Sequence, residues 1–106
     1  RVNGTKIFAS LSGNAHYYGI LCTELGEDDT VSRRQTAYIA VPADAPGVTV
    51  SGSWDPLGMR GTVSRNLVFD DVFVAEDEAL MPAGHYYQAV TRWPHMFMTL
   101  TPTYIG

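Results

Sequence analysis

Between Lys6 and Val74 the chain holds no hydrophobic period for more than about eight residues before Gly, Pro, Asn or Asp interrupts it, and this punctuation limits what it can fold into. Lys6 to Leu11 and Tyr17 to Thr23 are apolar runs separated by Ser12-Gly13-Asn14-Ala15, a pattern that predicts strand, turn, strand. Asn3-Gly4 ahead of the first run reads as a hairpin turn whose leading strand is mostly missing. Glu24 to Gln35 mixes acids and arginines without periodicity and reads as a solvated surface loop. Thr36 to Val41 predicts a third strand, stopped by Pro42 and the turn residues through Gly47; Val48 to Ser51 then resumes the alternation until Trp54-Asp55-Pro56-Leu57-Gly58 breaks it. Thr62 to Phe69 and Val72 to Val74 predict two further strands joined by a turn at Asp70-Asp71. Glu76-Asp77-Glu78 reads as a short acidic turn ahead of Ala79-Leu80-Met81 and Pro82-Ala83-Gly84. Short strands with no helix between them predict a mainly β chain, an antiparallel sandwich or barrel.

Composition removes several classes of function. With 106 residues the chain is bounded to one domain at most. Hydrophobic residues at 45% and charged residues at 17% exclude intrinsic disorder. A net charge of −4, with seven Lys and Arg, argues against a nucleic-acid partner, because few phosphates can be neutralised. A single Cys forms no internal disulfide, so a reducing, cytoplasmic setting is the expectation. The opening residues do not read as a secretory leader, and the uncharged stretch from Trp93 to Gly106 is too short for a membrane span.

The last segment changes period. Tyr87, Val90, Trp93 or Pro94, Phe97, Leu100 and Tyr104 fall at steps of three and four, which predicts a C-terminal helix with an aromatic face. Such a stripe needs cover that one small sheet supplies poorly, so the chain is expected to be a piece of a longer protein. The alternative is a complete, non-enzymatic β module that self-associates through this helix. Thr91 suits a cap near Trp93 or Pro94, whereas Pro102 should kink or end the helix.

Residues able to carry chemistry are few. Ser12-Gly13 and Ser51-Gly52 lack the flanking glycine of a nucleophile elbow. His16, Cys22, His85 and His95 are too irregularly spaced for a metal site, so no metal is assigned; Cys22, inside an apolar run, reads as a small hydrophobe. Gly58-Met59-Arg60-Gly61 is followed by no helix and cannot cradle phosphate as a helix N-terminus would. By alternation alone Phe8 and Ser10 share one face of a strand, with Phe8 in the core.

Three ordered blocks carry more. Asn3-Gly4-Thr5-Lys6-Ile7-Phe8-Ala9-Ser10, followed by Asn14-Ala15, resembles the "NGxKxWIT/S…A" segment of the acyl-CoA dehydrogenase family. Pro46-Gly47-Val48 is similar to that family's "tPGv" turn, and Leu57 through Val74 is similar to its "xGxRxSxTxxxxFedVxVP" segment without insertion or deletion. The resemblance implies a three-part architecture: a helical domain, a middle β domain and a C-terminal helical bundle, with FAD between the last two. Residues 1–84 would be part of the middle β domain and 85–106 the first helix of the bundle.

Site assignments follow from that resemblance. Phe8 stands where the family usually has Trp beside the flavin rings, and Ala9 stands at its Ile. Ser10 matches the Thr or Ser whose hydroxyl and backbone reach the flavin N5 region, where a hydroxyl donor would tune hydride acceptance. Arg92 stands where some members place an Arg against CoA, a group whose phosphates suit a guanidinium. Arg60 and Arg65 are expected to tether loops or a neighbouring domain. The implied reaction is α,β-dehydrogenation of an acyl-CoA thioester, with electrons passed to an acceptor flavoprotein. The family's catalytic carboxylate would lie in the bundle, since Glu24, Glu27, Glu76 and Glu78 do not match its context. This chain alone would therefore not be catalytic and would hold FAD weakly or not at all; its parent is expected to be a homo-oligomer. A related flavin-dependent monooxygenase, sharing the fold but activating oxygen with reduced FMN or FAD, is the alternative; Ala9 and the Trp54-Asp55-Pro56 lead-in leave room for it.

Overall fold

The computed structural model describes residues 1–26, 28 and 30–92. Among them run β1 (Val2–Ala9), β2 (Tyr17–Leu25), β3 (Val31–Pro42), β4 (Val48–Ser51), β5 (Arg65–Val72), β6 (Ala79–Met81) and α1 (His85–Arg92), with 3-10 turns at Arg60–Thr62 and Glu76–Glu78. The strands form two sheets, ordered β1-β5-β4 and β2-β3-β6. β1 and β4 pair antiparallel with β5, as does β6 with β3. The protein is mainly β with a C-terminal helix, as the punctuation of the sequence predicts.

The described chain divides into two compact units: Arg1–Gly19 with Ala40–Glu78, and Ile20–Ile39 with the residues from Ala79 on. In the first unit β5 is the central strand, and Leu67, Phe69 and Val72 are its buried side chains, between 0% and 4% exposed. Strict alternation would place residue 71, not 72, on the buried face. A bulge supplies the missing step. Val2 pairs with Val72 and Gly4 with Phe69, so Asp70 and Asp71 together oppose Asn3. Asp71 takes the left-handed conformation, at φ 50°. Its N–H donates to Asn3 Oδ1 at 2.8 Å, while Asp70 N–H donates to the Gly47 carbonyl at 3.0 Å.

Gly47 cannot be replaced freely, because its φ is +92° and a Cβ there would lie 2.1 Å from the Asp70 carbonyl oxygen. The "PGv" turn is thus the seat of the bulge across from it.

The second unit buries Ile20, Ala37 and Ile39. β6 pairs with β3 through Tyr38–Met81 and Ile39–Ala79. Gly84, at φ +87°, donates its N–H to the Thr36 carbonyl at 3.2 Å and turns the chain into α1. In α1, Tyr86, Tyr87, Ala89 and Val90 are half-buried, whereas His85, Gln88, Thr91 and Arg92 are exposed. Tyr87 and Val90 of this set are the first two residues of the stripe read from the sequence. Trp93, Pro94, Phe97 and Pro102 lie outside the described residues.

Four local readings change. Asn3-Gly4 is no hairpin turn but lies within β1 opposite the bulge. Glu24 to Gln35 is not one loop: β2 extends to Leu25 and β3 begins at Val31. At the solvated ends of such strands both faces tolerate charge, so alternation is lost from the sequence without the strand being lost. Asp70-Asp71 is not a turn between two strands but part of β5, and the strand expected at Val72 to Val74 is only its last residue. Ala79–Met81, expected after the acidic turn without a strand assignment, forms β6.

Candidate functional site at the end of β1

β1 lies at the outside of its three-stranded sheet, and its far end is irregular. Lys6 pairs with Leu67 and Ala9 with Arg65, so Ile7 and Phe8 together oppose Asn66. This second bulge puts Phe8 at φ 57°, a left-handed conformation that an aromatic residue seldom adopts. Phe8 is 69% exposed and not part of the core, contrary to the plain alternation reading. Ser10, likewise, has left the strand for the turn that follows and does not share a strand face with Phe8.

Trp54, which sequence reasoning did not assign, meets the Phe8 ring edge-on at 6.3 Å between centroids, with planes at 75°. Its indole N–H donates to the Met59 carbonyl at 3.2 Å. Arg60 pairs with Asp55, closing the same loop. That is the tether expected of Arg60. Arg65 holds the other side, its Nη2 donating to the Ser12 carbonyl at 3.2 Å. Its Nε is buried and has no hydrogen-bond partner.

A set of hydroxyls joins the segment after β1 to the segment before β5. Ser10 Oγ lies 3.1 Å from Ser64 Oγ, Ser64 Oγ donates to Thr62 Oγ1 at 2.8 Å, and Thr62 Oγ1 donates to the Met59 carbonyl at 2.9 Å. Fully buried Ser12 donates to the Val63 carbonyl at 2.7 Å and accepts from Arg65 N–H at 2.9 Å. The two crossing segments are drawn together further by Leu11 N–H donating to the Thr62 carbonyl at 2.9 Å.

The backbone here is strained. Besides Phe8, the non-glycine residues Leu11 (φ 59°), Met59 (φ 55°) and Val63 (φ 47°) are left-handed, and all sit on these two segments. Each such residue costs on the order of 1–3 kcal/mol, and strain of this kind collects where a binding surface must be held in one shape. The arrangement presents an exposed aromatic ring, an exposed hydroxyl and an outer-strand backbone side by side. Such a surface offers apolar contact through Phe8 and hydrogen bonding through Ser10 and the neighbouring backbone.

Phe8, Ala9 and Ser10 follow one another at the end of β1 and into the turn after it. Arg92 is the last residue of α1, in the second unit, and is exposed. Among the described residues no group of three or more His, Cys, Asp or Glu is placed to hold a metal ion, and no helix is long and apolar enough to cross a membrane. The signal for Trp54 was present as the Trp54-Asp55-Pro56 lead-in, and that for the hydroxyls as Thr62 and Ser64, two apart before a strand.

Residues 1–72 match the profile of the acyl-CoA dehydrogenase middle domain, and the chain belongs to the acyl-CoA dehydrogenase family. It is 37% identical over 84 residues to amino sugar nitrososynthase DnmZ of Streptomyces peucetius, a match covering 79% of this chain and 20% of that protein. It is 32% identical over 96 residues to the oxygenase component of the FADH(2)-dependent resorcinol hydroxylase of Rhizobium sp. (strain MTP-10005), covering 82% and 22%. Among solved structures, TdsC from Paenibacillus sp. A11-2 in complex with FMN and indole superposes with a TM-score of 0.73 at 34% identity, over 82% of this chain and 22% of that one. The chain therefore spans about a fifth of the length of the curated relatives it matches.

Proposed function

We propose that this chain supplies one wall of the flavin site of a larger flavin-dependent oxidoreductase, and that the larger protein is an oxygen-activating member of the family. The single observation that carries the flavin reading is the strained Phe8–Ser10 edge, an exposed aromatic at the bulge and an exposed hydroxyl in the turn just after it. Residues 1–84 are read as part of the middle β domain and 85–106 as the opening helix of the following bundle. A bound FAD or FMN supplies two-electron redox chemistry. Phe8 would pack against its ring system and screen it from water, Ala9 would leave room beside the ring, and Ser10 would hydrogen-bond at the ring's polar edge. The oxygenase reading is supported by the hydroxylase and nitrososynthase relatives, at 32% and 37% identity.

The test uses the full-length protein. Titration with FMN and FAD, oxidised and reduced, should show saturable binding, and oxygen added to the reduced complex should be consumed. Failure to bind any flavin overturns the reading. The second reading is α,β-dehydrogenation of an acyl-CoA, favoured by the Leu57 to Val74 block and by exposed Arg92, whose guanidinium would take a CoA phosphate. In that case a carboxylate outside this chain removes the α-proton, electrons leave to an acceptor flavoprotein, and anaerobic butyryl-CoA bleaches the bound flavin. An Arg92→Ala protein would then show a raised acyl-CoA KM with little change in kcat. Either chemistry is read as taking place in a homo-oligomer.

A further inference from the structure

We propose that the cleft between the segment leading into β2 and the turn after β3 binds a small organic cation, a protonated amine carried on a flat apolar body. The inference does not depend on the flavin reading, since none of Phe8, Ala9 and Ser10 lines this cleft.

The site begins with two adjacent tyrosines at the start of β2. Neighbouring strand residues face opposite ways. Tyr18 takes the buried face, 5% exposed, and its hydroxyl accepts the Gly13 N–H at 2.9 Å. Tyr17 is thereby turned outward, 60% exposed, with no side-chain hydrogen bond or ring partner among the described residues. At the end of β3, Val41 is fully buried and half-buried Pro42 follows it out of the strand. The Ala43 N–H donates to the His16 carbonyl at 2.9 Å and clamps the two segments together. Turn hydrogen bonds from the Ala45 N–H to the Pro42 carbonyl at 3.2 Å, and from the Val48 N–H to the Ala45 carbonyl at 3.0 Å, fix the second wall. Ala15, His16, Tyr17, Pro42, Ala43 and Asp44 line a cleft of about 350 Å³, all within the first compact unit. That is the size of a small-molecule site, and its walls are formed before any ligand arrives.

Charge selects the ligand. Asp44 is exposed and has no side-chain hydrogen bond or ion pair among the described residues. No Lys or Arg lines the cleft, so an anion would meet a carboxylate with nothing to offset the repulsion. An ammonium group gains instead, pairing with Asp44, while the Tyr17 ring attracts the cation or stacks on the body that carries it. Ala15, Pro42 and Ala43, each half-buried, offer apolar surface to that body. His16 and the Tyr17 hydroxyl add hydrogen-bonding capacity for a second polar group. Because Asp44 stays open to solvent, each contribution is small and weak affinity is expected.

The experiment is saturation-transfer NMR of the full-length protein with three probes of one shape: phenethylamine, phenethyl alcohol and phenylpropionate. Phenethylamine is expected to bind saturably with a Kd of about 1 mM, the alcohol about fivefold more weakly, and the carboxylate with a Kd above about 10 mM. Asp44→Asn should bring the amine down to the affinity of the alcohol. Tyr17→Leu should weaken amine and alcohol alike, by about three- to fivefold. Both side chains are exposed, so the two variants should keep the wild-type urea midpoint. No saturable binding of phenethylamine, or an amine affinity unchanged in Asp44→Asn or in Tyr17→Leu, overturns the proposal. Equal affinity for amine and alcohol would make this a stacking site for neutral ligands and overturns the cation assignment. A cleft covered by another part of the full-length protein gives the first of these results and counts against the proposal in the same way.

Discussion

The Trp54 indole stands edge-on to the Phe8 ring, 6.3 Å between centroids, and is itself tied to the Met59 carbonyl through Nε1. One residue therefore links the exposed aromatic of the site to the anchor of the hydroxyl set. A left-handed Phe8 with most of its surface in solvent has few other contacts to hold its rotamer.

Replacing Trp54 by Ala should loosen Phe8 and weaken flavin binding by the full-length protein about fivefold, with a stability loss of about 1–2 kcal/mol from the ring contact and the indole hydrogen bond. Trp54→Phe keeps the edge contact and loses only the hydrogen bond, and should fall between. Flavin titration and urea midpoints measure both. Unchanged affinity in Trp54→Ala would show that Phe8 holds its place unaided.

Gly47→Ala should destabilise the protein by at least about 2 kcal/mol, since the new Cβ meets the backbone oxygen of Asp70 and the φ is unfavourable for any L side chain. The loss would be read from the thermal or urea midpoint. Gly58, whose added Cβ would meet nothing within 4 Å, is the control, and Gly58→Ala should be within about 0.5 kcal/mol of the wild type.

Asn3→Ala removes the acceptor of the Asp71 N–H and should cost about 0.5–1 kcal/mol, a modest value because the site is exposed and water can substitute. Hydrogen exchange at the Asp71 amide should speed up. Asn3→Asp retains a side-chain oxygen in the same place and should restore protection; equal exchange in all three proteins would mean the bulge does not depend on residue 3.

The isolated 106-residue chain should bind FAD and FMN weakly or not at all. It offers one wall, and affinity for a ligand of this size needs burial on several sides to offset the cost of association. A purified chain that stays yellow through gel filtration would refute this.

Much of this protein was legible from residue order. Gly and Pro punctuation marked β4 to the residue, the Pro46-Gly47 turn, and the helix-free stretch before His85, because turn chemistry and strand runs are local properties. The Asn3 to Ser10 and Leu57 to Val74 blocks, with Pro46-Gly47-Val48 between them, carried the family resemblance. What tertiary structure alone decided is where one strand's count slips against another's. Asp70-Asp71 looked like a turn because two adjacent acids interrupt an apolar run, yet pairing of β5 with β1 and β4 absorbs them as a bulge and returns Val72 to the core. The same slip near Lys6 turned Phe8 outward. Ser64 and Trp54 reached Ser10 and Phe8 only through that pairing, across long stretches of chain. Register is set by contacts between distant segments, and no local pattern in either segment records it.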